Sequence, residues 1–273
     1  MAIIRTADRP LNEPHKKPQE GMFRRFTRAV IVAAAVGAAI ASSGFTAAAS
    51  AATRPIPVLY TSSFAGYHTA SSDTSRFRYV ATTAPVAACQ TGTDPSNNPD
   101  AHIELFGGSN WSADIDVICN GGASSVSFFD QLSAITQAAG TFRLSPRVGD
   151  RVRISISRNV PGHQDSFTAT DLRTGRSQTV RVTTPAAVVY QHAFVGSAID
   201  RNADVMPLPP TSKLLWTFQN SRVVTYGGVR GTLLGPWTTV AEIDRASARI
   251  TVMYPGTLSS SGSSFSTYLH AAP

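Results

Sequence analysis

Arg151-Val152-Arg153-Ile154-Ser155-Ile156-Ser157 alternates polar and apolar side chains without a break. A period of two puts Val152, Ile154 and Ile156 on one face and the arginines and serines on the other, which is a strand with one buried face. Ala113-Asp114-Ile115-Asp116-Val117-Ile118, Gln178-Thr179-Val180-Arg181-Val182-Thr183 and Arg249-Ile250-Thr251-Val252-Met253-Tyr254 repeat the pattern, and Ile103-Glu104-Leu105-Phe106 opens a further run. Between these stretches lie turn signals such as Val148-Gly149-Asp150, Arg173-Thr174-Gly175, Gly227-Gly228 and Gly235-Pro236. From residue 56 onward the template yields about 12–14 strands. One stretch, Phe129–Ala139, reads as helix-like or as a loop. Many short strands with polar turns and no alternating helices predict an all-β fold, a two-sheet antiparallel jelly-roll sandwich. Residues 53–273 show no linker that would divide them, so one sandwich domain is expected there.

The chain has 273 residues and a formal charge of +7. The first 52 residues carry 7 basic and 3 acidic side chains, so much of the charge belongs to them. The rest of the chain is closer to neutral, and its composition gives no case for a nucleic-acid partner, which needs a clustered basic face. Residues 1–52 have the layout of a signal peptide: Arg24, Arg25 and Arg28, then an apolar run from Ala29 to Ala41, then small residues to Ala52. Met22 is an alternative start, and Arg24-Arg25 leaves the twin-arginine route open beside the general one. The apolar run is about 13 residues, short of the ~20 that a membrane-spanning helix needs. The expectation is a secreted, extracytoplasmic monomer with no membrane attachment once the signal is cleaved. Outside the cytoplasm Cys89 and Cys119 are free to oxidise to each other, the alternative being two buried thiols.

The order of segments resembles the glutamic peptidases, or eqolisins, in their bacterial secreted form. Thr61-Ser62-Ser63-Phe64-Ala65-Gly66-Tyr67 resembles the family's N-W-S-G-Y opening strand. Ala84-Pro85-Val86-Ala87-Ala88-Cys89 resembles V-P-x-V-x-C, and residues 101–107 lie where the family has F-W-V-G-L-D-G. Cys119-Asn120-Gly121-Gly122, residues 146–150, Thr170-Asp171-Leu172-Arg173-Thr174-Gly175 and Met206-Pro207-Leu208-Pro209 follow in family order, and residues 231–235 and 258–266 resemble its closing segments. The resemblance implies a concanavalin-like double-sheet sandwich. It also implies peptide hydrolysis at acid pH, with a Glu cycling a proton and a Gln amide donating to the developing oxyanion.

The residues that would carry this chemistry are altered. The family Gln falls on Val117 or, one residue away, Asp116; neither Val nor an ionised Asp can donate. The two family glutamates fall on His192 and Gly196, the D-G pair on Phe106-Gly107, and the W-Y-E segment on Phe129-Asp130-Gln131. An oxyanion donor is worth about 10²–10³ in rate and a general base about 10²–10⁴. A non-catalytic relative that binds peptide or another ligand in the concave groove is therefore expected. The alternatives are an acid endopeptidase with a rearranged site and a glycan-binding module.

Weak catalytic candidates are Asp116, His192 and Asp130. Beyond residue 52 only Glu104 and Glu242 are glutamates. Asp114 and Asp116 share a strand face and could pair or hold a cation, but alternation alone makes them a solvated face. His102 and His192 lack any metal-ligand spacing and read as structural. No cofactor motif and no metal motif is present. Trp111, Trp216 and Trp237 could line a binding groove, with Trp111 in a turn and exposed, or could be core.

Overall fold

The computed structural model describes residues 55–61, 63–70, 76–88, 99–107, 110–120, 123–132, 135–199, 213–247 and 250–270. The signal-peptide reading of residues 1–52, Cys89 and the 206–209 segment lie outside the described residues, as does the side chain of Cys119. Sixteen strands and no helix are present among the described residues. In chain order they are β1 (Val58–Thr61), β2 (Phe64–Ala70), β3 (Phe77–Pro85), β4 (Asp100–Gly107), β5 (Trp111–Asn120), β6 (Ala123–Leu132), β7 (Ile135–Thr141) and β8 (Arg151–Asn159). There follow β9 (Gln164–Asp171), β10 (Ser177–Thr183), β11 (His192–Ala198), β12 (Lys213–Thr225), β13 (Arg230–Gly231), β14 (Thr238–Ser247), β15 (Ile250–Pro255) and β16 (Phe265–Leu269). The fold is an all-β antiparallel sandwich; the one parallel pair among these strands is β1 on β14.

The larger layer runs β7-β6-β5-β4-β11-β2-β14-β15-β16, and the smaller runs β3-β8-β9-β10. Strand β12 belongs to both. Its first half pairs with β16 through Phe218, and its second half pairs with β3 from Gln219. At the crossover Asn220 has φ 56° and the register shifts between Gln219 and Arg222. Asn tolerates the left-handed region better than most residues, and a bulge bends a strand sharply enough to leave one sheet for the other.

The alternating runs place their apolar faces between the layers. Ile103, Leu105, Ile115, Val117 and Val195 from the larger layer meet Val80, Ile154, Ile156 and Phe167 from the smaller in one cluster of buried side chains. The 129–139 stretch is not helix: β6 continues to Leu132 and β7 starts at Ile135, pairing antiparallel with a register shift at Asp130 and Gln131. The helix-like reading fits the three Ala and two Gln spread over residues 129–139. Pairing along the layer's terminal strand overrides that weak propensity.

Gly66 of β2 and Gly196 of β11 are direct partners, and no side chain fits at either. A Cβ on Gly66 would lie 2.4 Å from the Val195 carbonyl oxygen and 2.6 Å from the Gly196 Cα, while one on Gly196 would meet the Phe194 ring at 2.5 Å. The clashing atoms include backbone, which cannot swing aside. Gly66→Ala is therefore expected to destabilise the protein by roughly 1–3 kcal/mol, the cost of overpacking, read as a lower urea midpoint at unchanged slope.

Candidate functional site

Strand parity gives the larger layer a second face, pointing away from the inter-layer core. His68 on β2, Glu242 on β14, His192 on β11, His102 and Glu104 on β4, Asp114 and Asp116 on β5 and Gln131 on β6 all lie on it. Apart from His192, which is half-buried, all of these are buried. Asp114 and Asp116 are 2% and 1% exposed. That corrects the expectation of a solvated face: the strand is covered on both sides.

The charged side chains are matched across neighbouring strands. His102 Nδ1 lies 2.5 Å from Asp116 Oδ1, and His102 Nε2 lies 3.5 Å from Glu104 Oε2. Burial by itself would push the imidazole down. The charge of Asp116, its hydrogen bond and the nearby Glu104 outweigh this and raise His102 to about 10. His102 is thus an imidazolium held between two carboxylates. His68 Nδ1 meets Glu242 Oε1 at 2.7 Å. The His192 ring stacks on Phe106 with centroids 4.8 Å apart and stands edge-on to His68 at 5.6 Å. The Gln131 amide donates to Asp114 Oδ2 at 3.3 Å. Phe194 and Phe64 pack beside His102, with centroids 5.7 and 5.5 Å from its ring.

The candidates from sequence do not converge. Asp116 binds His102 rather than His192, and His192 belongs to the cluster of His68 and Phe106. Asp130 is on the opposite side of the sheet: its register partner is Ala113, whose parity is that of the core. There it accepts a hydrogen bond from Trp111 Nε1. Trp111 is 6% exposed, correcting the expectation of an exposed turn residue. Trp216 is also buried, while Trp237 is half-buried and donates to the Leu233 carbonyl at 3.3 Å. Neither Trp111 nor Trp216 offers a ring to a ligand.

Sequence reading missed His68, and it took Gln131 only as an altered family position, not as the partner of Asp114. Alternation along β2 places His68 in phase with Phe64 and Gly66, and alternation along β6 does the same for Gln131 with Phe129. The Glu242 pairing joins residues 174 positions apart, and no local pattern reports that. Among the described residues no group of three or more His, Cys, Asp or Glu side chains is arranged to hold a metal ion.

No protein-family model matches the chain, and no curated protein matches it. The structure is similar to scytalido-glutamic peptidase solved with a peptide-based transition-state analogue: TM-score 0.55, 17% identity, covering 76% of this chain and 97% of that one. A second structure of that enzyme, with a transition-state analogue inhibitor, gives TM-score 0.56, 15% identity and the same coverage. At this identity the likeness establishes a distant glutamic-peptidase-like fold.

A buried acidic network bridges the layers on the core side. Asp165 on β9 accepts from the Tyr190 hydroxyl at 2.6 Å and lies 3.5 Å from Arg158 Nη1, and the Arg158 Nη2 donates to the Pro185 carbonyl at 2.9 Å. Burial raises Asp165 to about 6; burial and then the charge of Asp165 raise Asp130 to about 7. Asp130, Asp165 and His102 each bind protons more tightly folded than unfolded. Stability from the two carboxyls is full below about 4 and is lost as pH rises to about 7, and that from His102 is full below about 6.5 and lost towards about 10. The thermal midpoint should therefore fall steadily from pH 5 to pH 9. Asp130→Asn should flatten the pH 5–7 part of that fall; a melting curve rising over this range would contradict the assignment.

Proposed function

We propose that this is an exported, single-sandwich ligand-binding protein of glutamic-peptidase-like fold, which does not hydrolyse peptides by the glutamate–glutamine mechanism. The observation that carries the reading is the His102–Asp116 pair. The resemblance puts the oxyanion-polarising amide at or beside Asp116. A carboxylate bound to an imidazolium offers no amide, and an imidazole raised to about 10 stays protonated and cannot act as a base in the acid range. The same face holds Glu104, Asp114, Asp116 and Glu242 against three histidines, and the strands β2, β4, β5, β6 and β11 that form most of it carry no Lys or Arg. An acid excess on a largely buried face suits a cationic ligand, such as a peptide amino terminus or a Lys or Arg side chain.

A second reading rests on Gln131. Its amide lies 3.3 Å from Asp114, and Glu104 is Asp114's direct cross-strand neighbour. This is an amide beside two carboxylates, the group types an acid hydrolase uses. One experiment separates the two. Purified protein is incubated with casein and a peptide library across pH 2–7, and binding of fluorescent Lys/Arg-rich peptides is followed in parallel. The expected result is no cleavage, with basic peptides binding and Glu242→Gln weakening them by about tenfold, as for a lost charge-assisted contact. Cleavage abolished by both Asp114→Asn and Gln131→Ala would replace the first reading with the second.

A further inference from the structure

The smaller layer carries a groove of opposite character. It has a volume of ≈ 620 Å³ and is lined by Arg78, Arg158, Arg222 and Arg230, together with Tyr79 and Val224, and no Asp or Glu lines it. Strand register builds it. Ser157 on β8, Tyr79 on β3, Val224 on β12 and Arg230 on β13 form one cross-strand row. Arg222 and Arg78 flank that row at the two places where β12 and β3 slip register, between Gln219 and Arg222 and opposite Thr225. Bulges re-aim side chains, and here they bring two further guanidinium groups towards the row. Arg158 is buried and fixed by Asp165 and the Pro185 carbonyl. Arg78, Arg222 and Arg230 are exposed and form no ion pair among the described residues.

Arg158 has its carboxylate in Asp165, but the three exposed guanidinium groups beside it repel one another unless an anion lies between them. We propose that this groove binds an anionic saccharide, a short run of sulfated or carboxylated sugar rings. Arg is the residue best shaped for planar, two-pronged contact with carboxylate and with tetrahedral oxyanions. The spacing of the arginines over four strands suits a ligand with several charges along its length better than one compact ion. The half-buried Tyr79 ring beside Val224 supplies an apolar strip on which a sugar ring packs. The volume falls within the ~300–1,000 Å³ of small-ligand sites, room for a segment of a polymer. The inference is independent of the function proposed for the acidic face, which lies on the other layer.

The test uses the full-length protein with fluorescently labelled heparin hexasaccharide and oligogalacturonate, read by anisotropy at about 0.15 M salt. Neutral maltohexaose and polyphosphate are the comparison probes. One or both charged saccharides should bind, and maltohexaose should not. The combined variant Arg78→Ser, Arg222→Ser, Arg230→Ser should lose about tenfold or more in affinity with an unchanged melting curve, all three positions being exposed. A control variant, Arg143→Ser, Arg176→Ser, Arg181→Ser, removes the same charge from exposed positions outside the groove and should stay within about twofold. Equal loss in both variants would mean general attraction to a basic surface and overturn the proposal. So would the absence of binding by either charged saccharide, or polyphosphate binding at least as tightly as both.

Discussion

The larger layer is covered on both faces, and one of those faces is charged. Antiparallel sheets usually turn their polar side to water. Here most of the charged side chains on that side are buried, so an ionised group there needs a partner inside the protein; a lone buried charge would cost several kcal/mol. The partners come from adjacent strands. His68 reaches Glu242 between β2 and β14, His102 reaches Asp116 between β4 and β5, and Gln131 reaches Asp114 between β6 and β5. The His192–Phe106 stack joins β11 to β4, and the Gly66–Gly196 approach joins β2 to β11. Every junction from β14 to β6 thus has a specific contact on this face. A slip of one residue at any of them would turn charged side chains into the apolar core, so the polar face holds the register as firmly as the core does.

The core side has a weaker version of the same constraint. Arg158, Asp165 and Tyr190 form a compact buried network at one end of the sandwich, and Asp130 feels the charge of Asp165 from the facing layer. Burial of both carboxyls favours the neutral acid, the charge of Asp165 adds to this at Asp130, and Arg158 offsets only part of it. The two networks therefore share a thermodynamic direction: each binds protons on folding. The turn carboxylates Asp150 and Asp171 have the opposite sense, held low by a backbone hydrogen bond at Arg147 and by the Thr174 hydroxyl respectively, with Arg173 adding to both. Asp171 is buried and Asp150 half-buried, but the Arg173 guanidinium they share is exposed, where screening weakens such pairs.

The strands were legible in the sequence wherever one face was apolar. β5, β8, β10 and β15 were visible from alternation, and the two-layer class followed from them. β7 was not, because its Thr136-Gln137-Ala138-Ala139 run shows no apolar alternation and fits a helix as well as a terminal strand. Residue parity also put Asp114 and Asp116 on one face correctly, but it could not say whether water reaches that face. That depends on what else packs against it. Pairing was the larger loss. His102 and Asp116 are only 14 positions apart and their strands are consecutive, yet His68 and Glu242 meet across most of the chain. Trp111 misled for a local reason: it follows a Gly-Gly-Ser-Asn turn and so looked exposed, but as the first residue of β5 its ring turns inward to Asp130.

Net charge was the poorest guide of all, and the reason is geometric. A sum over residues reports neither an acidic surface nor a basic one when a fold places them on different layers. The acidic side chains of β4, β5 and β14 are gathered on the polar face of the larger layer. Arginines of β3, β8, β12 and β13 are gathered around one groove of the smaller. No run of consecutive basic residues marks that groove, because its members come from four strands and two of them are brought in by register slips. A clustered basic surface can therefore arise in a chain whose body is nearly neutral. The absence of a basic run excludes only those sites that are built from one segment.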